Sequence, residues 1–156
     1  MNLKKIRYYL ATTVFNFIFA DDEPSKKEIT ERLFANWSSL NGEMYISDIV
    51  IEEIGRAPEG IQSRLIEVIR KQNPILLSID EETRELAARY ISEGIIPEKF
   101  RNDALHIAVA VVNDLDVIVS WNLEHIVKLK TKLGVEGVNR LLGYKLVEIM
   151  TPEEVL

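Results

Sequence analysis

The chain has 156 residues, a formal net charge of −6 and no cysteine, with 47% hydrophobic and 28% charged residues. That composition describes a globular chain that can bury a core, and it excludes a disulfide framework, a zinc–thiolate site and a cysteine nucleophile. The negative charge argues against a protein that coats nucleic acid nonspecifically, but not against an enzyme that meets nucleic acid at a bound cation.

Ile6 to Leu10 reads as a first β-strand, followed by Thr12 and Thr13 as turn or cap residues and a short apolar helix through Phe19. The basic residues Lys4, Lys5 and Arg7 precede an apolar run that breaks at Asn16, Asp21 and Asp22. It therefore reads as neither a signal peptide nor a membrane span. Acidic residues, Pro24 and Ser25 open a helix predicted over Lys26 to Leu40, which Asn41-Gly42 ends. Met44 to Ile46 is a second strand, and Ser47 or Asp48 caps a helix ending near Gly55. Pro58 opens a helix over Gly60 to Lys71, with Ile61, Leu65, Val68 and Ile69 on one side.

Ile75 to Ile79 is a third strand, and Glu81 to Ser92 an amphipathic helix. Asn102 to Asn113 is apolar almost all round, which predicts burial on most sides. Asp116 to Ser120 is a fourth strand, Lys128 to Leu142 is helical, and Leu146 to Ile149 is a last strand. Alternating strands and helices with no linker or repeat predict one domain over residues 1–156. Its fold class is α/β, a three-layer α/β/α arrangement around a central parallel sheet.

In such sheets ligands gather where strands end. Polar residues concentrate at four such places: Ala11-Thr12-Thr13, Ser47 to Glu53, Asp103 at the start of the apolar helix, and Ser120-Trp121-Asn122. Val50, Ile51 and Ile54 mark a buried stripe at about 100° per residue, which puts Glu53 beside it and Glu52 opposite. Glu53 is thus the carboxylate expected to face a cleft.

In order and spacing these four segments resemble the PIN-domain ribonucleases, and the VapC-like toxins among them, over essentially the whole chain. The first motif of that family is a strand ending in aspartate before a hydroxyl pair; here Ala11 stands at the aspartate and Thr12-Thr13 follow. The second places its glutamate at Glu53, and the third its aspartate at Asp103. The fourth, Ser or Thr, any residue, then Asp, reads Ser120-Trp121-Asn122, an amide for an acid.

The resemblance implies a Mg²⁺- or Mn²⁺-dependent endoribonuclease, with Glu53 and Asp103 as metal ligands. Ala11, Glu53, Asp103 and Asn122 then form the catalytic set, and Thr12, Thr13, Ser120 and His125 support it or touch substrate. Oxygen ligands suit these hard cations, and a bound ion can activate water against a phosphodiester. RNA as substrate, a small antitoxin protein, a homodimer and a cytoplasmic location follow from the same resemblance.

Ala11 removes an oxygen donor, so the chain should bind metal poorly and act weakly or not at all. The rest of the motif is intact, which points to a replaced aspartate rather than a long-decayed enzyme. The alternative is a noncatalytic PIN-like module that binds RNA or a protein.

Each residue also has a plainer role on its own. Asp103 could satisfy a helix N-terminus, Thr12 and Thr13 could cap, Asn122 could make a turn, and His106 could be a hydrogen-bonded core histidine. Lys128, Lys130, Lys132, Arg140 and Lys145 form either a phosphate track or a solvated face.

Overall fold

The computed structural model describes residues 4–156 and arranges five parallel strands in the order β3-β2-β1-β4-β5. The strands are β1 (Ile6–Leu10), β2 (Gly42–Ser47), β3 (Ile75–Leu77), β4 (Val117–Val119) and β5 (Glu148–Met150). Between β1 and β2 lie α1 (Thr12–Asn16) and α2 (Pro24–Ala35), and between β2 and β3 lie α3 (Asp48–Ile54) and α4 (Glu59–Gln72). Helices α5 (Glu81–Ser92) and α6 (Arg101–Val112) lead to β4, α7 (Leu129–Leu142) leads to β5, and α8 (Pro152–Val155) closes the chain. Parallel strands joined by right-handed crossovers place α1 to α4 on one face and α5 to α7 on the other. The result is a three-layer α/β/α fold.

Burial explains the central elements. Tyr9, Leu10, Ile118 and Val119 are fully buried, as strands covered on both faces must be. Every residue of α6 from Ala104 to Val111 is buried, which matches its lack of a polar face. Each large apolar side chain enclosed this way contributes about 1.5–3 kcal/mol.

Several local features depart from the sequence reading, among them a third strand that ends at Leu77 rather than Ile79 and a fourth confined to Val117–Val119. The helix predicted through Leu40 stops at Ala35. The Asn36 amide donates to the Arg32 carbonyl at 2.9 Å, and Ser39 Oγ donates to the Asn36 carbonyl at 2.7 Å. Such local bonds compete with helix continuation, and Trp37–Leu40 tightens into a 3-10 turn. The last strand begins at Glu148 rather than Leu146, because its β4 partner begins at Val117. Helix α8 adds a turn beyond the predicted elements, started by a capping box between Thr151 and Glu154 around Pro152.

Strand order reverses between β1 and β4, which are hydrogen-bonded neighbours although α1 to α6 separate them in the chain. The connections leaving these two strands diverge to opposite faces and open a crevice at their carboxyl ends.

Candidate functional site

A cleft of about 270 Å³ occupies that crevice. Ala11, Thr12 and Thr13 enter it from the end of β1, Glu53 and Arg56 from α3 and the turn after it, Asp103 and His106 from α6, and Ser120 and Asn122 from beyond β4. The residues singled out at four separate places in the chain thus meet around one space. Glu52 lies outside it, paired with Arg56 at 2.6 Å on the surface.

Ser47 Oγ caps α3 by accepting from the Ile49 amide at 3.2 Å, and this start sets the helical phase that turns Glu53 inward. Glu53 Oε1 receives Thr12 Oγ1 at 2.7 Å and His106 Nε2 at 2.6 Å. Burial pushes the Glu53 carboxyl up, but the hydrogen bonds from His106 and Thr12, with the Asn102 amide nearby, outweigh it and hold it below the ordinary glutamate value. Glu53 is therefore a carboxylate near neutral pH.

Asp103 is shifted the other way. Burial is the main cause and the Glu53 charge adds to it, while His106, His125 and a bond from Asn122 pull against the rise. Two carboxyls of one cleft thus respond oppositely, because Glu53 takes the direct hydrogen bonds.

A stability test follows from the raised value. The native state holds the Asp103 proton more tightly than the unfolded chain, whose carboxyl titrates near 3.8. Folding stability from this group is therefore greatest below that pH and falls as pH rises through the native value. Without divalent metal, Asp103→Asn should melt higher than the parent at pH 7, and the gain should fade as pH approaches 3.8. Melting curves showing a pH-independent gain would exclude the buried charge as its source.

The loop after β4 is built from hydroxyl and amide bonds. Thr13 Oγ1 accepts the Trp121 amide at 3.0 Å, and Ser120 Oγ accepts the Asn122 amide at 2.9 Å. Asn122 Oδ1 accepts the amides of His125 at 2.9 Å and Glu124 at 3.2 Å. The oxygen expected to serve chemistry thus holds the turn, and the Asn122 amide offsets part of the rise that burial causes at Asp103. His125, expected to touch substrate, does not line the cleft. Its ring packs on Phe100 with centroids 3.9 Å apart, and its buried Nε2 has no hydrogen-bond partner among the described residues.

None of the five basic residues between Lys128 and Lys145 lines the cleft either. Arg140 pairs with Glu136 at 3.0 Å and Lys145 pairs with Asp116, as on a solvated face. His106 and Tyr9 are the parts of the site that sequence reasoning undervalued. The available signal was the spacing of His106 one turn after Asp103.

Among the described residues, no three acidic or histidine side chains converge as a ready metal cage. Two carboxylates do line the cleft, and Mg²⁺ commonly takes one or two together with water. The donor set therefore fits a weakly held, largely hydrated divalent ion, with the methyl of Ala11 where a further oxygen would strengthen it.

No family model matches the sequence, and no curated protein matches it. Solved structures do match its shape. A DNA-bound VapBC from Salmonella typhimurium shares 19% identity at a TM-score of 0.58, over 94% of this chain and 98% of that one. VapBC2 from Rickettsia felis, bound to a promoter DNA fragment, shares 14% at 0.56 over 94% and 98%. Mycobacterium tuberculosis VapC20, a Sarcin-Ricin loop cleaving toxin, shares 14% at 0.53 over 71% and 86%. The chain has the PIN-like α/β/α fold of VapC toxins.

Proposed function

We propose that this chain is a single PIN-like domain over residues 1–156, a metal-dependent endoribonuclease type and the toxin of a toxin–antitoxin pair, weakened by Ala11. The observation that carries this reading is the meeting of Ala11, Glu53, Asp103 and Asn122 in one cleft at the point where strand order reverses. Glu53 and Asp103 would hold Mg²⁺ or Mn²⁺. When bound, the ion supplies positive charge at a phosphodiester and makes water easier to deprotonate. The chain's own residues orient: Thr12 and His106 fix the Glu53 carboxylate, and Asn122 steadies the loop facing Asp103. The direct test is Mg²⁺-dependent RNA cleavage by Ala11→Asp.

The competing reading, a noncatalytic module binding RNA or a protein, is favoured by one observation: an alanine 2% exposed stands where the strongest ligand is expected. Metal binding by Ala11→Asp without RNA cleavage would select it.

An antitoxin is the partner this reading calls for, with a cytoplasmic setting. Its Arg or Lys would meet Glu53 and Asp103, and a bidentate arginine–carboxylate pair is the strongest such geometry. An apolar groove of about 440 Å³, lined in part by Ile18, Phe34, Ala35 and Val68, supports a partner lying across α2 and α4. Peptide and metal should then compete: in Ala11→Asp, saturating Mn²⁺ should weaken a cognate antitoxin peptide in a titration. Unchanged affinity would mean that the peptide avoids the acidic cleft. A second copy is also part of the reading. Leu129, Leu133 and Leu141, exposed by 70%, 59% and 71%, form a stripe on α7 that supports self-association.

A further inference from the structure

Behind the cleft wall runs a chain of buried hydrogen bonds whose far end is Glu53. Ser47 Oγ lies 2.8 Å from Tyr9 Oη, Tyr9 Oη lies 2.6 Å from His106 Nδ1, and His106 Nε2 lies 2.6 Å from Glu53 Oε1. Tyr9 and Ser47 are fully buried and His106 is 3% exposed, so water does not break the chain. These residues come from β1, the end of β2 and α6, three elements that only the finished sheet brings together.

The protons can be placed by counting donors. An ionised Glu53 can only accept, so His106 Nε2 carries hydrogen. With Nδ1 bare, Tyr9 donates to it, Ser47 donates to Tyr9, and the Ile49 amide donates to Ser47. Every proton then has one acceptor. With Nδ1 protonated instead, Tyr9 would have to donate to Ser47. The buried Ser47 proton would then have no acceptor among the described residues. A buried donor left unpaired loses its hydration with nothing in return, which favours the first arrangement.

We infer that His106 is a positioning residue for the Glu53 carboxylate: the Ser47–Tyr9–His106 relay, together with Thr12, ties down Oε1 and leaves the other oxygen for whatever cation enters the cleft. A glutamate has three side-chain torsions to order, and an untethered one must be fixed when the ligand arrives. Here that ordering is completed on folding. The inference rests on the metal-site reading above and deepens it, because it gives Tyr9 and His106, which stand outside the candidate ligand set, the task of preorganising the cleft.

Two measurements test it. Nitrogen-15 NMR of the parent chain should show His106 with an unprotonated Nδ1 and a protonated Nε2. The opposite tautomer would overturn the relay, whatever the fate of the metal reading. The second uses Mn²⁺ calorimetry in the Ala11→Asp background, with urea unfolding of each variant alongside. Loss of a partner that orients a ligand typically lowers metal affinity about 10–100-fold, and His106→Leu should fall in that range. His106→Gln, whose amide can donate where Nε2 did, should recover most of the affinity, and Tyr9→Phe should lie between. Affinity unmoved in His106→Leu, with only stability reduced, would make the histidine merely structural. If Tyr9→Phe is the only variant that folds, its affinity alone decides, and an unchanged value overturns the proposal. If Ala11→Asp itself binds no Mn²⁺, the metal-site reading has failed and the positioning role falls with it. Binding by Ala11→Asp that His106→Leu leaves intact defeats the positioning role alone.

Discussion

Ala11→Asp is expected to bind Mn²⁺ on the order of a hundredfold more tightly than the chain as it stands, since the number of charged oxygen ligands is the main lever on affinity for hard divalent ions. Ala11 is 2% exposed, follows β1 directly and lines the cleft, so a carboxylate grown from its Cβ has Glu53 and Asp103 as neighbours. Without metal, a third acid in a half-buried space repels the other two, and the variant should melt below the parent. With Mn²⁺ at a hundred times the dissociation constant, stability should recover by about 2.7 kcal/mol. The parent should show little of that metal-dependent shift. Asp103→Ala in the Ala11→Asp background should lose the added affinity again. Equal affinity in all three proteins would rule out the metal site. RNA cleavage should appear with Mg²⁺ in Ala11→Asp and vanish with a chelator.

What the chain disclosed in advance follows from how local each cause is. The helix over Glu81 to Ser92 carries its cap at Asp80, which accepts from the Thr83 amide at 2.9 Å, and both its ends were readable. The apolar continuity of Ala104 to Val111 likewise announced a buried helix. Glu53 was separable from Glu52 by helical phase alone. Asn36 illustrates the limit: its helix-stopping bonds run to Arg32 and from Ser39, and periodicity carries no trace of them.

The candidate site divides in the same way. Ala11, Asp103 and Asn122 announce themselves by standing just after strands or at a helix start, and Glu53 by its phase along α3. Tyr9 and His106 do not, because one sits inside an apolar strand and the other inside an apolar helix. Their polarity is satisfied by partners 38 and 97 residues away from Tyr9 in the chain, and sequence spacing gives no access to those distances. Asn122 lines the cleft, but the use of its amide oxygen by His125 and Glu124 depends on the turn that follows it.

The second large effect is expected at Trp121. This residue is 6% exposed, and its indole Nε1 donates to Thr30 Oγ1 at 2.8 Å, joining the loop after β4 to α2. Its ring packs near Phe17 with centroids 5.7 Å apart, and Lys26 Nζ lies 5.5 Å from the ring centre. Its backbone amide donates to Thr13. Trp121→Ala should cost about 3–5 kcal/mol, a large share of the roughly 5–15 kcal/mol that holds a domain folded. Trp121→Phe keeps much of the ring's packing but leaves the Thr30 oxygen without the indole proton, so its cost should be smaller. Urea unfolding followed by circular dichroism measures both, and Trp37 remains as a fluorescent probe. The damage should also reach the cleft. Ser120 and Asn122 flank Trp121, and the turn they hold faces Asp103. In the Ala11→Asp background, Trp121→Phe should therefore weaken Mn²⁺ binding even where the protein stays fully folded. A loss below 1 kcal/mol for Trp121→Ala, against the range expected of a buried tryptophan, would show that the loop is anchored elsewhere.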